Sequence, residues 1–171
     1  MKSKQAIKFS HRVLGLAVAS VFAALSVDSH AVTATGAFGV NATVATSCTI
    51  SGTALAFGGA VNVMGGANTD ATSTLTATCS TGTAYTIALS AGSAPGATVT
   101  TRQMLNGTDT LNYSLYSDST RATNWADTGT LPAGTGTGAG QTYTVYGRIP
   151  SGQAAAKPLT YNDTITATIN F

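Results

Sequence analysis

The sequence predicts an all-β fold, an antiparallel two-sheet sandwich, on three observations. Threonine dominates the polar residues, and its β-branched side chain suits the solvent face of strands. Apolar residues recur with a period of two along much of the chain, the alternation of a half-buried strand. Short turn signals rich in Gly, Pro, Asn and Ser separate these runs, as in a sandwich of short strands.

Taken in order, the chain opens with Lys2, Lys4, Lys8 and Arg12, followed by an apolar run from Val13 to Leu25 and then Ser29-His30-Ala31. A basic start, an apolar stretch too short to span a bilayer, and a small-x-Ala end predict a secretory signal peptide over residues 1–31, cut after Ala31. Export through the periplasm to the cell surface is the expected localisation. The expected mature chain then has a leading strand over 32–46 and one β-sandwich domain over 47–171, a length that can bury a core.

Removing the leader changes the chemistry available. Arg102, Arg121, Arg148 and Lys157 face Asp70, Asp109, Asp118, Asp127 and Asp163, for a net charge of −1, with no histidine and no glutamate. A basic footprint for nucleic acid is absent. Triads with a His base and His-containing zinc sites cannot be built. The five aspartates sit apart, in Asn-, Thr-, Gly- and Ser-rich contexts where Asp ordinarily shapes turns. The expectation is a protein that is not an enzyme, without cofactor or metal. Two cysteines in an exported chain, Cys48 and Cys79, predict one disulfide.

The body reads as strands. Leu75, Ala77 and Cys79 share a parity, as do Tyr85, Ile87 and Leu89, then Leu111, Tyr113 and Leu115, then Tyr143, Val145 and Ile149. Turns are expected at Gly65-Gly66, Ser80-Thr81-Gly82, Pro95-Gly96, Asn106-Gly107 and Ser151-Gly152. The glycine-rich stretch 129–140 lacks the Lys-Ser/Thr ending of a phosphate loop and a following helix, and is expected to be a flexible inter-strand loop.

The two ends of the mature chain are the most informative. Val32, Ala34, Gly36, Phe38, Val40, Ala42 and Val44 lie on one parity of a predicted strand of about fourteen residues. It carries no charge and no proline, the usual guards of an exposed edge. At the other end Ile165, Ala167, Ile169 and Phe171 alternate with Thr164, Thr166, Thr168 and Asn170. Alternation leaves two readings open: terminal strands of a closed sandwich, or strands that complete the sheet of another chain.

Ordered motifs add a family resemblance over nearly all of the mature chain. They are Cys48-Thr49-Ile50, Leu55-Ala56-Phe57-Gly58, Thr78-Cys79-Ser80-Thr81-Gly82-Thr83-Ala84-Tyr85 and Arg102-Gln103-Met104, then Leu111-Asn112-Tyr113-Ser114-Leu115-Tyr116-Ser117-Asp118, Trp125, Tyr146-Gly147-Arg148-Ile149-Pro150 and Tyr161-Asn162-Asp163-Thr164-Ile165. The set resembles the spore coat protein U family, which includes subunits of archaic, Csu-type chaperone–usher pili. The family's Trp-Gly-Asp-Gly appears here as Trp125-Ala126-Asp127-Thr128-Gly129, and its Gly-x-Tyr as Leu159-Thr160-Tyr161.

The resemblance implies an incomplete immunoglobulin-like sandwich, missing its final strand and leaving an apolar groove beside the C-terminal strand. It implies that a periplasmic chaperone fills the groove, that an outer-membrane usher passes the fibre outward, and that the next subunit's N-terminal segment replaces the chaperone. The donor face would then be Phe38, Val40, Ala42 and Val44, extended back through Gly36 and Ala34 to Val32. The acceptor edge would be Ile165, Ala167, Ile169 and Phe171, with the Cys48–Cys79 bridge steadying the first strand. The leading expectation is a structural pilus subunit serving adhesion and biofilm, whose partners are copies of itself or related subunits. The alternatives are a spore coat or envelope protein of the same family, and a carbohydrate-binding adhesive sandwich using Trp125, Tyr116 or Tyr146.

Overall fold

The computed structural model describes residues 30–171, so the expected leader lies outside the described residues save for its last two positions. The chain divides into two units, Met1–Asn41 and Ala42–Phe171. In the first unit residues 30–41 carry no strand and are exposed. The strand expected over 32–45 is therefore not formed in the single chain. The reason is physical: an extended segment becomes a strand only when its backbone pairs with another, and 32–45 enters no ladder.

The second unit holds eight strands: β1 (Cys48–Gly52), β2 (Thr69–Cys79), β3 (Ala84–Leu89), β4 (Arg102–Asn106), β5 (Asp109–Tyr116), β6 (Ala133–Thr135), β7 (Gly140–Ile149) and β8 (Ala167–Asn170). They form a five-stranded sheet in the order β1-β2-β7-β5-β4 and a three-stranded sheet in the order β6-β3-β8. Every pairing is antiparallel, and no helix occurs among the described residues. The fold is the all-β sandwich that the alternation predicts.

Parity places the core between the sheets. Leu75, Ala77 and Cys79 of β2, Ile87 and Leu89 of β3, and Leu111, Tyr113 and Leu115 of β5 are buried together with Val145 and Ile149 of β7. The intervening threonines, Thr76 and Thr78 among them, are more exposed. Cys48 pairs with Cys79 in the β1–β2 register and the two are bridged, with Cys79 buried. Trp125 is buried, and its indole N–H donates to the Ile87 carbonyl at 2.8 Å, which satisfies the one polar atom that burying a tryptophan would otherwise strand.

Two further expectations need correction. The glycine-rich stretch 129–140 is not wholly a flexible loop. Ala133–Thr135 is β6, paired with β3, and Gly140 opens β7. Close approach selects these glycines: a Cβ on Gly134 would meet the Tyr143 hydroxyl at 2.3 Å, and one on Gly136 the Ser80 carbonyl at 2.2 Å. Nor do the aspartates all shape turns. Asp118 does, accepting from the backbone N–H groups of Ala122 and Thr123. Asp70 instead lies in β2, opposite Arg148 of β7, and pairs with it through two bonds of 2.7 and 2.8 Å. Asp109 opens β5 and pairs with Lys157 at 2.8 Å.

Candidate functional site

The sandwich is open on one side. β1 and β8 are edge strands of their respective sheets, and an apolar groove of about 640 Å³ lies between their flanks. One wall is the segment that follows β1, including Leu55 and Phe57; the other runs through 161–167, with Ile165 and Ala167 facing inward. Leu75, Leu89, Leu115 and Val145 reach it from the core.

Each wall has a sequence cause. After Gly52 the chain leaves β2, held at first by the Thr53 N–H on the Thr74 carbonyl at 3.0 Å, and crosses toward the inner face of β7. Gly147 makes that crossing possible, because a Cβ there would come within 2.9 Å of both Leu55 and Phe57. Phe57 then meets Tyr113 edge to face at 6.3 Å. The opposite wall changes sheets. Asn162 bridges to Leu105 of β4, residues 163–166 belong to no strand, and Ala167 opens the pairing with β3.

A polar cluster fastens this change of sheet. The Asp163 carboxylate accepts from the Tyr113 hydroxyl at 2.6 Å, from the Ser93 N–H and hydroxyl at 2.8 and 2.7 Å, and from the Thr164 N–H at 2.7 Å. Burial would raise its pKa, but these bonds to the charged form outweigh it and hold the group below the usual carboxylate range. Burial, with the Asp163 bond added, pushes the Tyr113 phenol far above its ordinary value. Beneath them Arg102 is fully buried. Its guanidinium donates to the carbonyls of Ser90, Val99, Leu89 and Trp125 at 2.6 to 3.1 Å. Burial lowers the Arg102 pKa, and nearby Tyr113, Asp127 and Asp163 act against that.

The groove gathers part of the expected acceptor edge and not all of it. Ile165 and Ala167 line it; Ile169 sits farther along β8, half-buried opposite Ile87. Phe171 is exposed and lies beyond the end of β8. The expected donor residues are bare: Val32, Phe38, Val40 and Val44 are between 83% and 92% exposed.

Leu55 and Phe57 were visible only as motif residues, and Arg102 and Asp163 only as motif residues and members of the charge inventory, none with a role in a groove. Period-two spacing carried a signal for the first pair. Arg102 and Met104 share a parity in β4, which would have placed a cation on the inward face. For the adhesive alternative the geometry divides, since Tyr116 and Tyr146 are half-buried and lie opposite each other across β5 and β7. Trp125 is buried, and Tyr146 lies beneath the Arg121 guanidinium, 5.7 Å from its ring centre. Among the described residues no group of three or more His, Cys, Asp or Glu could hold a metal ion.

The fold and site define an antiparallel sandwich left open along one flank, with an unpaired apolar segment ahead of it. Residues 34–168 match the Spore Coat Protein U domain, and the chain belongs to that family. It is 37% identical to "Protein U" of Myxococcus xanthus over 174 residues, covering 91% of this chain and 97% of that one. Its fold resembles a chain of the CsuC–CsuE chaperone–tip adhesion subunit pre-assembly complex from archaic chaperone–usher Csu pili of Acinetobacter baumannii. The TM-score is 0.57 at 23% identity, over 75% of this chain and 40% of that chain.

Proposed function

We propose that the chain is a structural subunit of a chaperone–usher-assembled surface pilus, without catalytic activity, that polymerises by donor-strand complementation. Val32, Ala34, Gly36, Phe38, Val40, Ala42 and Val44 of one copy enter the groove of the next, alongside Ile165, Ala167, Ile169 and Phe171. A periplasmic chaperone covers the groove beforehand and an outer-membrane usher exports the fibre, on which adhesion and biofilm depend. One observation carries the reading: the sandwich is open between two edges, while the same chain holds an uncharged alternating segment with bare apolar side chains.

The energetics suit such a link. Burying four or five small or medium apolar side chains at about 25 cal/mol per Å² contributes several kcal/mol, and the added ladder satisfies two open edges. Phe38, the largest of the donor residues, takes the deepest position. The 37% identity to Protein U across nearly the full chain supports a second reading, a coat or envelope structural protein linked in the same way without an extended fibre. Electron microscopy of surface material separates the two.

Parity supplies the test. Phe38→Asp should abolish heat- and SDS-resistant multimers, whereas Thr35→Asp, on the opposite parity, should leave them largely intact. Equal loss in both variants would overturn the donor assignment.

A further inference from the structure

We infer that Asp163 is the positioning residue of the groove, holding its C-terminal wall in the extended path that an incoming strand pairs with. The inference rests on the strand-accepting reading above. It starts from a gap in the ladder. The wall is paired to β4 at Asn162 and to β3 from Ala167 onward. Residues 163–166, of which Asp163, Thr164 and Ile165 line the groove, belong to no strand. A segment without a ladder keeps its direction only if other groups hold it.

Side chains hold it here, helped by one backbone bond at its C-terminal end. At one end of the gap the Asp163 carboxylate takes four hydrogen bonds, from three parts of the molecule: Ser93 in the segment after β3, Tyr113 of β5, and its own neighbour Thr164. At the other end the Ser90 hydroxyl accepts from the Thr166 N–H at 3.0 Å, and the Ser90 N–H donates to the Thr166 carbonyl at 3.0 Å. Both ends therefore converge on the 90–93 segment. Arg102 ties the start of that segment through the Leu89 and Ser90 carbonyls.

The fit is close. Gly92 has a φ of +97°, and a Cβ there would lie 2.1 Å from a carboxylate oxygen of Asp163, so both the conformation and the space require glycine. Bonds to an ionised acceptor are roughly twice as strong as neutral ones, and only a carboxylate accepts all four. An amide in its place keeps its oxygen on the Ser93 and Thr164 donors and turns its NH₂ toward the Tyr113 hydroxyl, whose oxygen can accept. The acceptor then loses its charge and the Tyr113 bond is reversed. Asp163→Asn therefore loosens the wall while leaving its size unchanged.

The test uses the full mature chain and a fluorescent peptide with the sequence of residues 32–46, followed by anisotropy, with amide exchange at Thr164 and Thr166 and thermal melts in parallel. Asp70→Asn is the control. It weakens the Arg148 and Arg121 pairs on the outer face of β2, away from the groove, and reports what lost stability alone does. The expected result is capture slowed about tenfold or more in Asp163→Asn, with faster exchange at Thr164, and capture near the wild-type rate in Asp70→Asn. Tyr113→Phe, which removes one of the four donors, should fall between. If Asp163→Asn captures the peptide at the wild-type rate, or slows only as its melting temperature predicts from Asp70→Asn, Asp163 has no positioning role. If the wild-type chain does not capture the peptide, the strand-accepting reading fails and this inference with it.

Discussion

At the scale of single residues, the polar groups inside the sandwich carry more than their number suggests. Arg102 satisfies four backbone carbonyls from a fully buried position. Arg102→Met keeps the apolar stem and leaves those acceptors unpaired, each costing about 1–3 kcal/mol. The variant should lose more than about 3 kcal/mol in a urea melt, a large share of a domain's stability. Titration has a predictable sign at both extremes. Asp70, chiefly through its Arg148 hydrogen bond, and Asp163 titrate below their unfolded value. Through the acid range the folded chain therefore binds fewer protons than the unfolded one, and stability present above about pH 4 is lost as pH falls further. Burial pushes Tyr143 up to about 12, and Tyr113 higher still. Their contribution is complete below about pH 10 and disappears as pH rises through the folded values. Melting temperature against pH should show a plateau with both shoulders; a steady rise or fall between pH 5 and 9 would contradict these assignments.

At the scale of elements, period-two parity was the readable part of the sequence. The inward faces of β2, β3, β5 and β7 follow from alternation alone, because one face meets the opposite sheet and the other meets water. What alternation could not show was contact between strands distant in sequence. β6 has three residues, too few for a periodic signal, and exists because Gly134 and Gly136 admit Tyr143, Tyr85 and the Ser80 carbonyl. The 53–57 wall depends on Gly147, some ninety residues away, and the 163–166 wall on Ser93 and Tyr113. Gly136→Ala should therefore destabilise by about 1–3 kcal/mol through overpacking. Gly59→Ala, where an added Cβ meets nothing within 4 Å, should change stability by no more than about 0.5 kcal/mol. Paired denaturant melts check both, and equal losses would show that the close contacts around β6 do not matter.

At the scale of the whole molecule, the sandwich is folded around a core, while the described residues 32–45 enter no ladder. The Cys48–Cys79 bridge closes a loop with a sequence separation of 31 and should contribute roughly 3–4 kcal/mol by restricting the unfolded chain. Reduction should lower the melting temperature, and with it the supply of groove for strand capture. Part of the proposed function was readable at this scale too. The bare parity at 32–44 and the alternation at 165–171 pointed to the chain ends, although alternation by itself fits a closed sandwich equally well. The open flank, visible only in the fold, supports the proposal of strand lending alongside the family match. The most direct measurement is electrophoresis of surface material without boiling, comparing the full chain with a variant lacking residues 32–45. Strand lending between copies predicts a ladder of stable multimers from the full chain and only monomer, or monomer held by its chaperone, from the variant. A ladder that survives the deletion, or a lone monomer from the full chain, would contradict it.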